Sequence, residues 1–272
     1  MTLVDNPFSP SAMRDRLSCV RRPPVTLGAP LLLGLLATSA PLTAYESAVV
    51  AEEAMMMSGG FLVRLRGWRR WLARMLYDWR FGVSTTEFVD LGDFGLEHPE
   101  RVYYSPAHWG TLRRALPIRD IDERDVFLDL GSGKGRMVLE AASRYAFKRV
   151  IGVELSPDLT DIARTNLDTT TLTLQAHEIE LVHSDVLDYA IPDDVSVVFL
   201  NNPFTGEIFA SVMKQLIASA DRHPRPITLI YFNPVEEPYL LATGRFHHVR
   251  TTIPRWRSPD GIFGTTRVYT LT

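Results

Sequence analysis

The sequence predicts an α/β fold built around a doubly wound, mostly parallel sheet, and three observations lead to it. Short apolar runs alternate with helix-length segments from Val126 onward, which is the pattern of βαβ units. Most of these runs show no clean alternation of apolar and polar residues, as expected for strands buried on both faces. A glycine-rich loop follows the first run, at an edge where open sheets of this kind bind ligands.

Seven segments are predicted as strands. The first five are Val126 to Leu130, Arg149 to Glu154, Glu180 to His183, Val195 to Leu200 and Ile227 to Phe232. The last two, Phe246 to Ile253 and Thr265 to Leu271, flank a turn-rich stretch and have no helix-length segment between them. We expect this pair to form an antiparallel hairpin that closes the sheet.

Composition and charge exclude several classes of protein. The chain has 272 residues, of which 46% are hydrophobic and 22% charged, so it is neither disordered nor fibrous. Residues 1 to 80 carry 10 arginines and 6 acidic residues (+4), and the remainder carries 19 basic against 26 acidic residues (−7). The larger part therefore gives no strong signal for nucleic-acid binding.

Cysteine and histidine content gives three further predictions. The chain has one cysteine, Cys19, which excludes an internal disulfide framework and fits a cytoplasmic location. Its histidines lack the spacing of metal ligands, so no metal site is predicted.

Residues 1–60 are predicted to be a mobile leader, because prolines interrupt them repeatedly. Within the leader, residues 25–44 are uncharged, follow Arg21-Arg22 and have the outline of a secretory signal or anchor. Pro30 and Pro41 fall inside that segment, and its leucine-rich centre is short, which argues against a membrane-spanning helix. A disordered extension is the favoured interpretation.

Residues 61–102 are predicted to form a basic amphipathic helix and a helical cap. The helix covers 61–81, where apolar residues recur at steps of three and four: Phe61, Leu65, Trp68, Leu72, Met75 and Trp79. Six arginines surround this stripe. Such a helix can lie on an anionic membrane as a peripheral contact or touch RNA. The favoured alternative is that the stripe packs on the domain and the arginines are solvated.

The glycine-rich loop is the most informative stretch. It follows a buried strand, precedes a helix with Met137, Val138 and Ala141 facing inward, and contains Gly131, Ser132, Gly133 and Gly135. The glycines let the backbone approach a ligand closely. Arg136 stands where a dinucleotide fingerprint needs its third glycine, and Lys134 is not followed by the residues of a phosphate loop. The loop is therefore predicted to bind a cofactor other than NAD or a nucleoside triphosphate.

Acidic residues at the ends of the first three strands indicate which cofactor this is. Asp129 would repel a pyrophosphate but attract a sulfonium and an ammonium group, which favours S-adenosylmethionine (SAM). Glu154, nineteen residues beyond Gly135, can accept hydrogen bonds from both ribose hydroxyls. After the third strand, Asp185 can accept from the adenine amino group, and Val186 offers its backbone N–H to a ring nitrogen.

The motif D-L-G-S-G-K-G, with Glu154 and Asp185 in order behind it, resembles the successive motifs of class I SAM-dependent methyltransferases. The resemblance covers Val126 to Thr272, and the methyltransferase domain is predicted to span residues 103–272. It implies a Rossmann-like, doubly wound, seven-stranded sheet with its last strand antiparallel. It also implies that SAM lies across the carboxyl ends of the first strands.

A narrower resemblance flanks this core. Tyr104-Ser-Pro-Ala-His-Trp-Gly-Thr111 and Ser196-Val-Val-Phe-Leu-Asn-Asn-Pro-Phe204 are similar to segments of the non-SET histone-lysine methyltransferases, the disruptor-of-telomeric-silencing family. The resemblance implies that Asn201 borders the methyl-transfer centre and that Tyr103, Tyr104 and Trp109 cover the methionine end of SAM. Pro203 and Phe204 depart from that family's N-N-F-x-F motif. N-N-P-F is equally similar to the [DN]-x-P-[FY] signature of methyltransferases that act on amino or amide nitrogen.

The residues themselves also point to a nitrogen acceptor. The side-chain oxygen of Asn201 and the carbonyl before Pro203 can both accept from an N–H nucleophile, and Phe204 can wall the acceptor site. Asn201 and Phe204 are therefore the predicted catalytic residues, with an ordinary turn as the alternative. The second Asn-Pro pair, at Asn233, either borders this site or only turns the chain.

Three functions stay open from sequence. The first is methyl transfer to a protein or peptide nitrogen, and the second is a small-molecule N-, O- or C-methyltransferase of a biosynthetic pathway. The third is a SAM-binding, membrane-associated module without turnover, a hypothesis based on Arg136 and the basic helix.

Overall fold

The computed structural model describes residues 75–86, 89–253 and 262–272. The predicted leader with its signal-like segment, Cys19, residues 61–74 of the predicted helix and the turn of the predicted hairpin lie outside these ranges. Among the described residues, no helix combines the length and the apolar character needed to cross a bilayer.

The described chain is organised around a seven-stranded sheet with the order β3-β2-β1-β4-β5-β7-β6. The strands are β1 (Val126–Leu130), β2 (Arg149–Glu154), β3 (Ile179–His183), β4 (Val197–Leu200), β5 (Ile227–Phe232), β6 (Phe246–Thr252) and β7 (Thr266–Leu271). The first five pair in parallel, and β7 runs antiparallel to both β5 and β6. The predicted fold is confirmed, including the antiparallel last strand and the antiparallel pairing of the last two strands.

Helices cover both faces of this sheet. They are α1 (Thr111–Ala115), α2 (Arg136–Arg144), α3 (Pro157–Thr169), α4 (Gly206–Arg222) and α5 (Glu237–Ala242). Every residue of β1 and β4 is buried, which explains why these strands read as continuous apolar runs. Strand β3 forms one edge of the sheet and is only half-buried.

Local sequence signals fix where the helices begin. Ser156 caps α3, because its side chain accepts a hydrogen bond from the backbone N–H of Leu159, and Pro157 occupies the first helical turn. Gly135 precedes α2 in the left-handed conformation, with φ of 79°. The inward residues of α2, Met137, Val138 and Ala141, are buried as predicted. Helices α2 and α3 therefore start at the carboxyl edge of the sheet, beside the ends of β1 and β2.

Helical residues 75–81 end at Gly82 and present a polar residue to the domain. Met75 and Trp79, the two described members of the predicted apolar stripe, are 44% and 82% exposed. At these positions the favoured interpretation, in which the stripe packs on the domain, is wrong. Asp78 lies on the inward face instead and is 5% exposed, because it pairs with a buried arginine.

That arginine is Arg136, the first residue of α2. Its guanidinium donates to the hydroxyl of Thr85 at 2.7 Å and to the carbonyl of Ala107 at 2.9 Å, and it lies 3.5 Å from Asp78. It also lies 5.4 Å from the ring of Trp109. Arg136 occupies the third glycine position of a dinucleotide fingerprint, and its guanidinium is bound by residues that precede β1. It therefore ties the segments before β1 to the first turn of α2.

Candidate active site

A cavity lies at the carboxyl edge of the sheet, and the ends of β1, β2 and β4, the loop after β3 and residues 101–107 line it. The structure places most of the predicted site residues in this lining: Asp129, Gly131, Ser132, Glu154, Asp185, Val186, Asn201 and Phe204. Gly133 and Gly135 belong to the same loop but are covered by neighbouring residues.

The glycine loop has no room for side chains. A Cβ atom built on Gly131 would lie 2.4 Å from the Cβ of Pro203, and one on Gly133 would lie 2.1 Å from the ring of Tyr104. Both glycines have positive φ, 78° and 54°, which L side chains rarely adopt. The loop therefore packs directly against the turn after β4 on one side and against Tyr104 on the other.

Glu154 joins the glycine loop to the end of β2. One of its carboxylate oxygens accepts the backbone N–H of Gly133 at 2.8 Å, and the other accepts that of Ser156 at 2.9 Å. The side chain is buried, and burial raises its pKa, although these backbone hydrogen bonds oppose the shift. Each carboxylate oxygen keeps a further lone pair, so Glu154 can still accept from two hydroxyl groups.

Asp129 supplies the second buried carboxylate of the cavity and is 2% exposed. Burial raises its pKa well above the ordinary value for an aspartate, and the nearby charge of Glu154 raises it further. Two negatively charged carboxylates in one buried site destabilise the folded protein unless a cation binds between them. The acidic lining and the tightly folded glycine loop thus fit a single ligand that combines a nucleoside with a positive charge.

We predict that Asp129→Asn stabilises the free protein and weakens SAM binding. The raised pKa means that the folded state holds this proton more tightly than the unfolded state. Stability of the free wild-type protein should therefore fall as pH rises from the unfolded-state pKa to the raised folded-state pKa, and Asp129→Asn should flatten that dependence.

Thermal unfolding with and without SAM across this pH range measures both effects. The expected result is a higher Tm for the free variant and a smaller Tm increase on adding SAM. An unchanged Tm together with an unchanged response to SAM would contradict this role of Asp129.

Asp185 lies in the loop after β3 and already has two hydrogen-bond donors. One oxygen accepts the backbone N–H of Leu187 at 3.0 Å, and the other accepts the guanidinium of Arg101 at 2.5 Å. Arg101 also lines the cavity. Sequence reasoning did not identify Arg101, because its partner lies 84 residues further along the chain.

The Asn201-Asn202-Pro203 turn follows β4 and presents Asn201 to the cavity. The Asn201 amide nitrogen donates to the carbonyl of Ser105 at 2.6 Å, and its oxygen accepts from the side chain of Asn233 at 3.1 Å. Asn202 faces the core instead, where its oxygen accepts from the hydroxyl of Tyr231 at 3.1 Å. Both Asn202 and Asn233 have positive φ, 47° and 54°. Asn233 therefore turns the chain and contacts Asn201, but it does not itself line the cavity.

Residues 100–107, which we call the strap, cross this edge of the sheet. The Glu100 side chain accepts the backbone N–H of Ile208 in α4, and the Val102 N–H donates to the carbonyl of Pro203, both at 3.0 Å. Further along, the hydroxyl of Tyr104 donates to the carbonyl of Thr85 at 2.9 Å. The strap thus contacts the glycine loop, the loop after β3 and the turn after β4.

Of the three aromatic residues expected near the methionine end of SAM, the structure places two in the cavity lining and one outside it. Tyr103 and Tyr104 line the cavity as part of the strap. Trp109 lies outside it, packs on Tyr77 with ring centroids 5.0 Å apart, and donates to Asp78 at 3.0 Å. Phe204 also lines the cavity; the residue is 4% exposed, and its ring packs towards that of Phe209.

Across the described ranges, no group of three or more potential ligand side chains is arranged to hold a metal ion.

Comparison with known proteins shows similarity to methyltransferases. Residues 127–226 match the family described as "Methyltransferase domain". A protein-lysine N-methyltransferase of Saccharolobus islandicus is 30% identical over 73 residues, which are 27% of this chain and 45% of the relative. The "Probable ribosomal RNA small subunit methyltransferase A" of Methanopyrus kandleri is 33% identical over 88 residues, 31% of this chain and 28% of the relative. The chain spans less than half the length of these curated relatives.

Among solved structures, a SAM-dependent methyltransferase from Methanosarcina mazei aligns with a TM-score of 0.44 and 16% identity. The alignment covers 57% of this chain and 97% of that one. The matched segment, 127–226, contains the glycine loop, Glu154, Asp185 and the Asn201 turn. Residues 127–226 therefore match a class I methyltransferase domain, an enzyme domain whose cofactor is S-adenosylmethionine.

Proposed function

We propose that this chain transfers a methyl group from SAM to a nitrogen atom of a protein or peptide. One observation carries the proposal: the acidic residues Asp129, Glu154 and Asp185 and the amide of Asn201 line one cavity. A site for a cationic nucleoside and a polar turn suited to an N–H group therefore meet at the same place. When bound, SAM supplies an electrophilic methyl group on a sulfonium.

Each cofactor residue has a role that its position supports. The two oxygens of Glu154 accept from the ribose hydroxyls, and the glycine loop with Ser132 lets the backbone approach the methionine part. Asp129 provides negative charge for the sulfonium and the ammonium group. Asp185 and Val186 bind the edge of the adenine.

On the acceptor side, Asn201 orients the nucleophile. Its carboxamide is held by Ser105 and Asn233, so the second lone pair of its oxygen keeps a fixed direction. Accepting an N–H bond there, and at the carbonyl before Pro203, aims the nitrogen lone pair into the cavity. Catalysis is then mostly positioning, which can contribute several orders of magnitude in rate. A neutral amine needs no strong base, and its proton leaves to water after the transfer.

The names of the relatives support a macromolecular acceptor, of two different kinds. One carries the name protein-lysine N-methyltransferase and the other is named for ribosomal RNA. The acidic balance of residues 81–272 favours the protein. The N-N-P-F turn, which is similar both to the non-SET histone-lysine family and to nitrogen methyltransferases, favours a nitrogen atom.

Transfer of label from methyl-labelled SAM to a host lysate tests this proposal. After incubation with the purified chain, the sample is divided by size and treated with protease or with nuclease. We expect label in a large, protease-sensitive fraction that disappears with Asn201→Ala. Nuclease-sensitive label would replace protein by RNA as the acceptor. Label in the small-molecule fraction would support a biosynthetic methyltransferase, and SAM binding without any labelling would support a non-catalytic module.

A further inference from the structure

The structure assigns Arg101 to the cofactor site: we infer that its guanidinium, held by Asp185, forms the outer wall of the adenine pocket. This inference rests on the proposed function, because it concerns the same cavity. It adds a cofactor-contacting residue that lies before the segment that matches the methyltransferase family, residues 127–226.

The position of Arg101 is fixed at both its backbone and its side chain. Its backbone forms an antiparallel bridge with Phe204, and its N–H donates to the carbonyl of His98 at 3.0 Å. Its guanidinium lies 2.5 Å from Asp185, and both side chains are 22% exposed. An arginine held this way has lost most of its freedom before the ligand arrives, so contact with the ligand costs little further entropy.

The surroundings of Arg101 suit a flat, neutral ring. The guanidinium shares the cavity with Leu155, Val186 and Ile208, which are apolar, and with Asp185. A planar guanidinium stacks well on an aromatic face, whereas the apolar side chains pack against the rest of the ring. Asp185 can serve both partners, since a carboxylate oxygen that accepts from Arg101 keeps a lone pair for the adenine amino group.

The strap connects this wall to the acceptor site. Val102, the next residue, donates to the carbonyl of Pro203, and the carbonyl of Ser105 holds the amide of Asn201. Adenine bound beneath Arg101 therefore stabilises the same segment that orients Asn201. We expect SAM binding to precede and strengthen binding of the methyl acceptor.

Calorimetric titration of Arg101→Ala with SAM, S-adenosylhomocysteine and 5′-methylthioadenosine tests the wall. We expect all three Kd values to rise about tenfold, since all three ligands contain adenine and stacked cationic contacts are of this strength. Arg101→Lys should fall between wild type and Arg101→Ala, because it keeps the charge but loses the planar group. Equal binding by Arg101→Ala would overturn the inference, and tighter binding would overturn it and show that Arg101 obstructs the cofactor.

Arg149→Ala is the matched control. Arg149 is also 22% exposed and also forms an ion pair, at 2.9 Å with Asp194, but it lies at the start of β2, away from the cavity. The control should bind SAM as wild type does. If the wild-type chain itself fails to bind SAM, the proposed function fails. If wild type binds and Arg101→Ala is indistinguishable from Arg149→Ala, only the role of Arg101 fails.

Discussion

Replacing Glu154 by alanine should raise the Kd for SAM by at least about 100-fold, because two hydrogen bonds to a charged carboxylate are lost and each contributes about 1.5–3 kcal/mol. The same change removes the acceptor for the backbone N–H groups of Gly133 and Ser156, so the glycine loop loses its attachment to β2. Calorimetric titration of wild type and variant with SAM measures the difference.

Glu140→Ala separates binding from folding in this experiment. Glu140 is buried like Glu154, its pKa is likewise raised by burial, and its oxygens accept the backbone N–H groups of Gly110 and Arg113. It does not belong to the cavity lining. Glu140→Ala should therefore lower stability while the folded fraction binds SAM normally. Micromolar binding retained by Glu154→Ala would remove Glu154 from the ribose site.

Replacing Asn201 by alanine should lower kcat about 100-fold while changing the Kd for SAM little, because a misplaced nucleophile costs about this much in rate. Its carboxamide has one donor fixed on Ser105 and its oxygen fixed by Asn233, so alanine removes an oriented acceptor and detaches the strap at the same point. Initial rates with the acceptor found by labelling, together with titration by SAM, measure the two effects.

Two further variants sharpen this prediction. Asn233→Gly keeps the positive φ of 54° but releases the oxygen of Asn201, so we expect a smaller loss of kcat. Gln175→Ala removes an amide that donates to a main-chain carbonyl, Ser143, at 2.9 Å outside the cavity, and should leave kcat unchanged. Full activity in Asn201→Ala would reduce its turn to a purely structural feature.

The strands and the cofactor edge were predictable because their signals are local. A strand buried on both faces, such as β1, reads as an unbroken apolar run, and the glycine loop follows it directly. Parallel strands bring their carboxyl ends to one edge, so Asp129, Glu154 and Asp185 were expected to meet there. The structure places all three in the cavity lining.

The contribution of the chain before β1 could not be predicted in the same way. Arg101 meets Asp185 across 84 residues and Ser105 meets Asn201 across 96, and no periodicity marks such pairs. The helical period also does not say which face packs. Asp78 is buried against Arg136, while Met75 and Trp79 are exposed. Leaving a buried arginine without a charged partner would cost more free energy than exposing these two apolar side chains.

A crystal structure of the full chain with S-adenosylhomocysteine would show whether the cofactor binds at the carboxyl edge of the sheet and faces Asn201. We expect the ribose on Glu154, the adenine between Val186 and Arg101 with its amino group on Asp185, and the sulfur facing Asn201. A ligand bound at another edge of the sheet, or bound here with its sulfur turned away from Asn201, would contradict this expectation.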